Sequence, residues 1–158
     1  MIATHRALRQ RRARAAAALR DDARRAQLGW HDLAAWPDWA ALEPRALETL
    51  ARRCGAWRQA GAWRRCIHGP LLQALQDAVG ADCAVRVLAG EPGPAAALPG
   101  ADALPQALRT DGLEVLLATV PSPLLRVLLR ERLAPQSPPP MPALDHAQAQ
   151  RWLAEAQR

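Results

Sequence analysis

The stretch that decides the fold is ALETLARRCGAWRQAGAWRRCIHGPLLQALQDAVGADCAVRVL, residues 46–88, the longest run without a proline cluster. Its apolar residues recur every three or four positions, as in an amphipathic helix that buries one stripe. That stripe comprises Leu47, Leu50, Cys54, Trp57 and Gly61. Off the stripe lie Arg52, Arg58 and Arg65, which we expect to face solvent. The pattern predicts a central helix that begins near Pro44, since proline is well tolerated in a first helical turn.

Glycine and proline divide the rest of this stretch. Gly69-Pro70 predicts a break after the central helix, because proline disfavours helical geometry in the residue before it. Two shorter helices are expected next, one over residues 71–79 and one over residues 82–88. The first is expected to stop at Gly80 and the second at Gly90, since glycine is a common residue just after a helix. The stretch therefore predicts three helical segments joined by tight turns.

The flanking sequence is also helical in character. Apolar periodicity predicts helices over residues 103–120, 124–133 and 144–157. Gly112 lies inside the first of these at a cost of about 1 kcal/mol relative to alanine, which indicates a close contact with another helix. No alternating run is long enough to predict a strand.

We therefore predict an all-α protein with a single compact helical domain. Residues 1–28 form an Arg-rich N-terminal helical arm, residues 29–134 form the helical core domain, and residues 135–158 form a Pro-rich spacer with a short C-terminal helix. The run APQSPPPMP within the last segment is typical of polyproline conformation, so we expect a linker there.

Positive charge is concentrated in the arm. All 21 basic residues are arginine, and the chain lacks Lys, Phe, Tyr and Asn, a bias typical of a GC-rich bacterial genome. Residues 1–25 hold eight arginines and two aspartates, whereas the remaining chain holds 13 arginines and 13 acidic residues. A basic arm on a neutral body is able to bind nucleic acid, anionic lipid or an acidic partner.

The sequence favours a cytoplasmic protein. The first twenty residues contain no apolar segment of the kind found in a secretory signal, and no window approaches the ~18 apolar residues of a membrane span. Three cysteines, an odd number, indicate reduced thiols.

The cysteines and histidines do not predict a metal site. Cys54 and Cys66 are twelve residues apart on the expected central helix, which separates them by about 18 Å at 1.5 Å per residue. One zinc ion cannot be bound by both. His5, His31, His68 and His146 lie in four separate segments, and no nucleotide-binding or hydrolase motif occurs. We expect no enzyme activity, no cofactor, no metal and no small-molecule substrate.

Three tryptophans lie close together at the start of the core. Trp30, Trp36 and Trp39 flank Pro37. Tryptophan is enriched both in cores and in binding hot spots. We expect two of these indoles to pack in the core and one to bind a partner, with Trp36 or Trp39 as the anchor.

The helix–turn–helix appearance of residues 45–79 does not favour DNA binding. A helix that binds in the DNA groove carries polar or basic residues on its outer face, and phosphate contacts require arginine or lysine. The helix after Gly69 offers only Gln73, Gln76 and Asp77. We therefore do not expect a nucleic-acid partner, and the alternative function of a small nucleic-acid or anionic-surface binder depends on the arm alone.

Two runs of the chain resemble a known family. The run RCGAWRQAGAWRRCIHGPLLQAL, residues 53–75, has a glycine inside a helix, an Arg-Arg-Cys-aliphatic step, a turn and a leucine helix. The run LRTDGLEVLLATVPSPLLRVLLRERLAP, residues 108–135, has a helix with a glycine and then an Arg-Leu-rich helix ending in proline. Both resemble the K component of type III secretion systems (the SctK/YscK/PscK group). The residues that carry the resemblance are Gly55, Arg64, Arg65, Cys66, Ile67, Pro70, Leu71, Leu75, Gly112, Arg130, Arg132, Leu133 and Pro135.

The resemblance implies a helical, non-enzymatic scaffold for protein secretion. Such proteins are cytoplasmic adaptors at the inner face of the bacterial inner membrane. They join the cytoplasmic domain of the inner-membrane ring protein to the pod protein of the sorting platform, and are peripheral to the membrane through these partners. Arg64 and Arg65 follow the central helix, where cations complement the helix dipole. Each is expected either to cap the helix or to pair with an acidic group of a partner.

Overall fold

The structure, a computed structural model, describes Ala13 and residues 27–90, 97–133 and 144–158. Every regular element in these ranges is helical, so the predicted all-α class is confirmed. Most of the predicted arm at 1–28, and the Pro-rich part of the predicted C-terminal segment, lie outside the described residues. The α-helices are α1 (Trp30–Ala34), α2 (Pro44–Arg58), α3 (Ala60–Trp63), α4 (Gly69–Val79), α5 (Ala81–Ala89), α6 (Leu104–Ala118), α7 (Pro123–Leu133) and α8 (His146–Gln157), and a 3-10 helix spans Asp38–Ala41.

The helices of the chain group into two compact units. The described part of the first unit comprises residues 27–42 and 120–133, and that of the second comprises residues 43–90, 97–119 and 144–158. These boundaries differ from the expected division at residues 28 and 134. Helix periodicity indicates where a helix forms, but the grouping of helices depends on which faces meet.

The first unit contains α1, the 3-10 helix and α7. Ser122 joins its two chain segments: its hydroxyl donates a hydrogen bond to the Asp32 carboxylate and accepts one from the Leu125 N–H, at 3.2 Å. Asp32 also accepts a hydrogen bond from the Gly29 N–H at the start of α1. One serine therefore satisfies a donor at the beginning of α7 while it binds α1.

The expected central helix is interrupted in the second unit. It begins at Pro44 as predicted, but α2 ends at Arg58 and the short α3 follows after Gln59. Gln59 has φ −95° and ψ 10°, outside regular helical geometry. Its buried side-chain amide donates a hydrogen bond to Asp111 of α6. A tertiary hydrogen bond thus lies at the interruption, which the helix pattern alone did not indicate.

Two more helices follow after a turn at residues 64–68, which we name the 64–68 turn. Gly69 and Pro70 lie within the first turn of α4, so the predicted break lies just before them. Between α4 and α5, Gly80 has φ 87°, a backbone conformation that side chains other than glycine's rarely adopt. Glycine is therefore required at this tight junction.

The crossing of α2 and α6 organises the second unit. A Cβ atom on Gly55 would overlap the backbone carbonyl of Leu108, and one on Gly112 would overlap that of Ala51. The two glycines therefore let the helices meet backbone against backbone at two points. The contacts run in opposite residue order along the two helices, so the helices are antiparallel. The close helix contact predicted for Gly112 is confirmed.

The core extends from this crossing to the other helices of the second unit. Residues from α2 to α6 form one cluster whose largest fully buried members are Trp63, Leu75, Val79, Val87, Leu104 and Leu108. Helix α8 packs against α2 and α6. His146 Nδ1 lies 2.9 Å from the Ala118 carbonyl oxygen, and the Gln150 amide donates to the Thr119 carbonyl at 3.3 Å. These side chains of α8 thus satisfy carbonyl groups at the C-terminal end of α6.

Candidate functional site

The tryptophans expected to bind a partner do not present an indole surface. Trp36 is 2% exposed and Trp39 is 3% exposed, so both are core residues. The expectation that one of them anchors a partner at the surface therefore does not fit the structure. Trp30 begins α1, but its side chain lies outside the described residues. Sequence reasoning recognised their size and apolar character, and these properties are shared by core residues and binding residues.

The structure separates the roles of Arg64 and Arg65. Arg64 donates a hydrogen bond of 2.8 Å from Nη1 to the carbonyl oxygen of Gly90, just beyond the C-terminus of α5. Its side chain therefore supports the end of a neighbouring helix, while its backbone N–H donates to the Ala60 carbonyl oxygen at the end of α3. Arg65 is exposed, and its side chain forms no hydrogen bond or ion pair with another described residue. Of the two, Arg65 has the guanidinium group available to a partner.

Ile67 is the most exposed large apolar residue in the described ranges. It is 97% exposed in the 64–68 turn, whereas Val85, Val127 and Leu42 reach 65%, 53% and 41%. His68 and Arg65 beside it are also exposed. An isoleucine with almost all of its surface in water contributes almost nothing to the core. The turn therefore presents one aliphatic side chain flanked by a basic and a titratable residue.

Arg58 departs from its expected solvent-facing position. Its side chain is 14% exposed, and its Nη1 lies 3.4 Å from Oδ1 of Asp111, the carboxylate that also binds Gln59. Asp111 thus joins α6 to both sides of the interruption between α2 and α3. The charge of Arg58 is satisfied inside the second unit, which no local pattern in the sequence indicates.

A groove of about 770 Å³ opens within the second unit between α2–α3, α5 and α8. We name it the arginine groove. Its charged and aromatic lining residues are Trp57, Arg58, Arg86, Arg151, Trp152, Glu155 and Arg158.

Two lining residues of the groove, Trp57 and Gly90, lie in close contact. A Cβ atom on Gly90 would lie 2.9 Å from the Trp57 ring, so a side chain at position 90 would press against the indole. The Trp57 Nε1 atom is buried and has no hydrogen-bond partner, and the same is true of the Arg86 Nε atom. Two N–H donors beside the groove therefore lack an acceptor among the described residues.

The charges around the groove are only partly balanced. Arg58 is paired with Asp111, and Arg158 is paired with Glu155 at 2.9 Å. Arg86 and Arg151 form no ion pair with a described carboxylate. The groove is therefore suited to an occupant that brings oxygen acceptors and negative charge.

The three thiols differ in their surroundings. Burial, with a smaller contribution from Cys83, raises the pKa of Cys54 to about 12, and burial also raises the pKa of Cys83. Cys66 is half-buried beside the 64–68 turn. Within the described ranges, no three Cys, His, Asp or Glu side chains come together in a group that could hold a metal ion.

Comparison of the chain with protein-family models, with curated proteins and with solved structures gives no match. Among the described residues, no helix is both long enough and apolar enough to cross a membrane.

Sequence reasoning missed most of the arginine groove. It placed Trp57 on the buried stripe and gave no role to Arg86 or Arg151. The adjacent Arg151-Trp152 pair in an otherwise weakly apolar helix was the available signal. The groove itself arises only when α8 packs beside α5 and α2.

Proposed function

We propose that this chain is a non-enzymatic adaptor of a bacterial type III secretion apparatus, similar to the K component of the SctK/YscK/PscK group. It would act in the cytoplasm at the inner membrane. There it would join the cytoplasmic domain of the inner-membrane ring protein to the pod protein of the sorting platform. The observation that carries the proposal is the 97% exposure of Ile67 within the Arg-Arg-Cys-aliphatic step that resembles that family. The family pattern has an aliphatic residue at this position, yet the Ile67 side chain is not packed in the core.

The glycines of the two resembling runs support the same proposal. Gly55 belongs to the first run and Gly112 to the second, and both lie at the α2–α6 crossing. Two glycines that are more than fifty residues apart in sequence, one from each run, thus lie at one helix crossing within the second unit. The shared pattern is therefore explained by packing at the glycines and by an exposed turn at Ile67.

A binding experiment with purified proteins tests the proposal. The tagged full-length chain is incubated with the ring protein's cytoplasmic domain and, separately, with the pod protein, both from the type III system of the same organism. We expect the wild-type chain to retain both. Ile67→Asp and Arg65→Glu should weaken binding to one of them by about tenfold, since each places a charge that opposes the contact at the turn.

Val85→Asp is the matched control, because Val85 is 65% exposed on α5 and lies outside the turn. This variant should bind within about twofold of wild type. Retention of neither component by the wild-type chain would refute the adaptor function. Treatment with nuclease and moderate salt tests the nucleic-acid alternative. If nucleic acid bridged the proteins, their retention by the chain would be lost under these conditions.

A further inference from the structure

We propose that the arginine groove binds an acidic segment of a partner protein. Carboxylates of that segment would pair with Arg86 and Arg151, and an apolar side chain would pack against Trp57 and Trp152. The chemistry of the groove stands on its own lining residues, whereas the identity of the occupant rests on the proposed adaptor function.

Charge complementarity is the first reason for an acidic occupant. Outside residues 1–25 the chain has equal numbers of arginines and acidic residues, so a local excess of positive charge is not imposed by composition. Four arginines nevertheless line this one groove with a single glutamate. Two of the four have no carboxylate partner among the described residues. Guanidinium groups bind carboxylates in bidentate geometry, so a carboxylate-bearing segment matches them well.

The unpartnered donors are the second reason. Buried N–H groups without an acceptor destabilise a protein, and they are uncommon in folded structures. The N–H groups of Trp57 Nε1 and Arg86 Nε both lie on side chains that line the groove. Both atoms are closed off from water in the free protein, so carboxylate or carbonyl oxygens of a bound segment would reach them only if the Trp57 and Arg86 side chains turn toward the groove.

The shape of the groove favours a protein segment over a nucleic-acid strand. Arg151 and Ala154 along its α8 edge are exposed, so the groove is open along the helix. A segment that lies between helices commonly binds in such a groove through apolar anchors. A nucleic-acid strand requires cations that follow its phosphates over some distance, and the Glu155 carboxylate would repel those phosphates.

Fluorescence anisotropy with the full-length protein tests this assignment. The probe is a short fluorescein-labelled peptide of Glu-Glu-Leu repeats, and the control peptide has glutamine in place of glutamate. Labelled oligothymidylate is the nucleic-acid probe. We expect saturable binding of the acidic peptide, weaker binding of the glutamine peptide, and a smaller response to oligothymidylate.

Matched arginine variants locate the binding. Arg151→Glu should raise the Kd of the acidic peptide by about tenfold, because an attractive charge becomes a repulsive one. Arg45→Glu makes the same charge change at an exposed position of α2 outside the groove, and it should change the Kd by less than about twofold. Trp152→Ala should weaken binding to both peptides, and its circular dichroism spectrum checks that α8 is retained.

Three results would overturn the assignment. The first is no binding of the acidic peptide, and the second is an equal loss of peptide affinity in Arg151→Glu and Arg45→Glu. The third is a lower Kd for oligothymidylate than for the peptide, with Arg151→Glu weakening the binding of oligothymidylate. These outcomes are separable from the adaptor test. Peptide binding without retention of secretion proteins would leave the groove intact and remove the adaptor function. Retention of those proteins without peptide binding would leave the adaptor function intact and remove the groove assignment.

Discussion

Gly55 at the α2–α6 crossing and Ile67 in the 64–68 turn come from the same run of sequence but have opposite surroundings. At the crossing, Gly55 and Gly112 leave no room for a single additional carbon atom. At the turn, Ile67 keeps 97% of its surface in water. The two sites are only about a dozen residues apart in sequence, and one is constrained by packing while the other is not.

This difference separates stability from binding within a short segment. Substitutions at the crossing are expected to act on the free energy of unfolding, because backbone atoms on both sides cannot move aside independently. Substitutions of Arg65 and Ile67 in the turn are expected to act on partner affinity alone. Four experiments test the comparison, in order of decreasing expected effect on stability.

The largest effect is expected at the crossing. Gly112→Ala and Gly55→Ala each place a Cβ against a backbone carbonyl, so we expect a loss of about 3 kcal/mol or more in the free energy of unfolding. Thermal unfolding followed by circular dichroism measures it. Gly69→Ala is the control: nothing lies within 4 Å of its added Cβ, and the helix propensity of alanine should raise stability by up to about 1 kcal/mol. Equal effects at positions 69 and 112 would show that close packing is not the cause.

The second effect is expected at Asp111. Asp111→Ala removes the acceptor shared by Arg58 and Gln59, and should cost about 2 kcal/mol because both partners are at least partly buried. Chemical denaturation gives the value. Asp77→Ala, which removes an exposed carboxylate bonded only within α4, should change stability by less than about 0.5 kcal/mol. If the two aspartate variants were alike, Asp111 would not join α6 to the α2–α3 interruption.

A smaller effect is expected at Ser122 in the first unit. Ser122→Ala removes the hydroxyl that accepts from the Leu125 N–H, at a cost of about 1 kcal/mol. The same hydroxyl, more than the Gly29 N–H or nearby His31, holds the pKa of Asp32 below its usual range. NMR titration of the Asp32 carboxyl should therefore show a higher pKa in the variant. An unchanged pKa would contradict the hydrogen bond.

The sign of the pH dependence follows from this shift. The folded-state pKa of Asp32 is lower than its ordinary value of 3.8, so the interaction contributes stability above that pH. The contribution is lost as the pH falls through the folded-state pKa. Part of the stability difference between wild type and Ser122→Ala should consequently disappear in acid, while the part from Leu125 remains.

The smallest effect on stability is expected at Ile67. Ile67→Asp should change the free energy of unfolding by less than about 0.5 kcal/mol, because the side chain contacts almost nothing. The measurement is chemical denaturation of the same sample that is used for partner binding. A loss as large as that at Gly112 would mean that the turn supports the fold, and the contrast between the two sites would fail.

Much of the helical structure could be predicted from periodicity and from glycine and proline positions. The expected helix over residues 103–120 forms α6, and the segments ending at Gly80 and Gly90 form α4 and α5. The interruption at Gln59 could not be predicted, since Gln59 is an ordinary residue for a helix. Its hydrogen bond reaches Asp111, 52 residues further along the chain.

The candidate sites were predicted less well than the helices. Trp36 and Trp39 are buried, Arg58 is paired inside the second unit, and only Arg65 of the two turn arginines is exposed without a described partner. The sequence gives the chemistry of each side chain, whereas the exposure of that side chain depends on which helix or turn covers it. The arginine groove shows this most clearly, because its walls come from helices that are far apart in the sequence.

By itself, the sequence determined the all-α class, the ends of most helices and the need for a close contact at Gly112. These properties follow from local forces: apolar spacing, the fixed φ of proline and the small size of glycine. Only the tertiary structure decided that Gly55 and Gly112 lie at one crossing, that Ile67 is exposed, and that Arg86 and Arg151 share a groove. Such properties depend on contacts between distant segments, and no local spacing of residues encodes them.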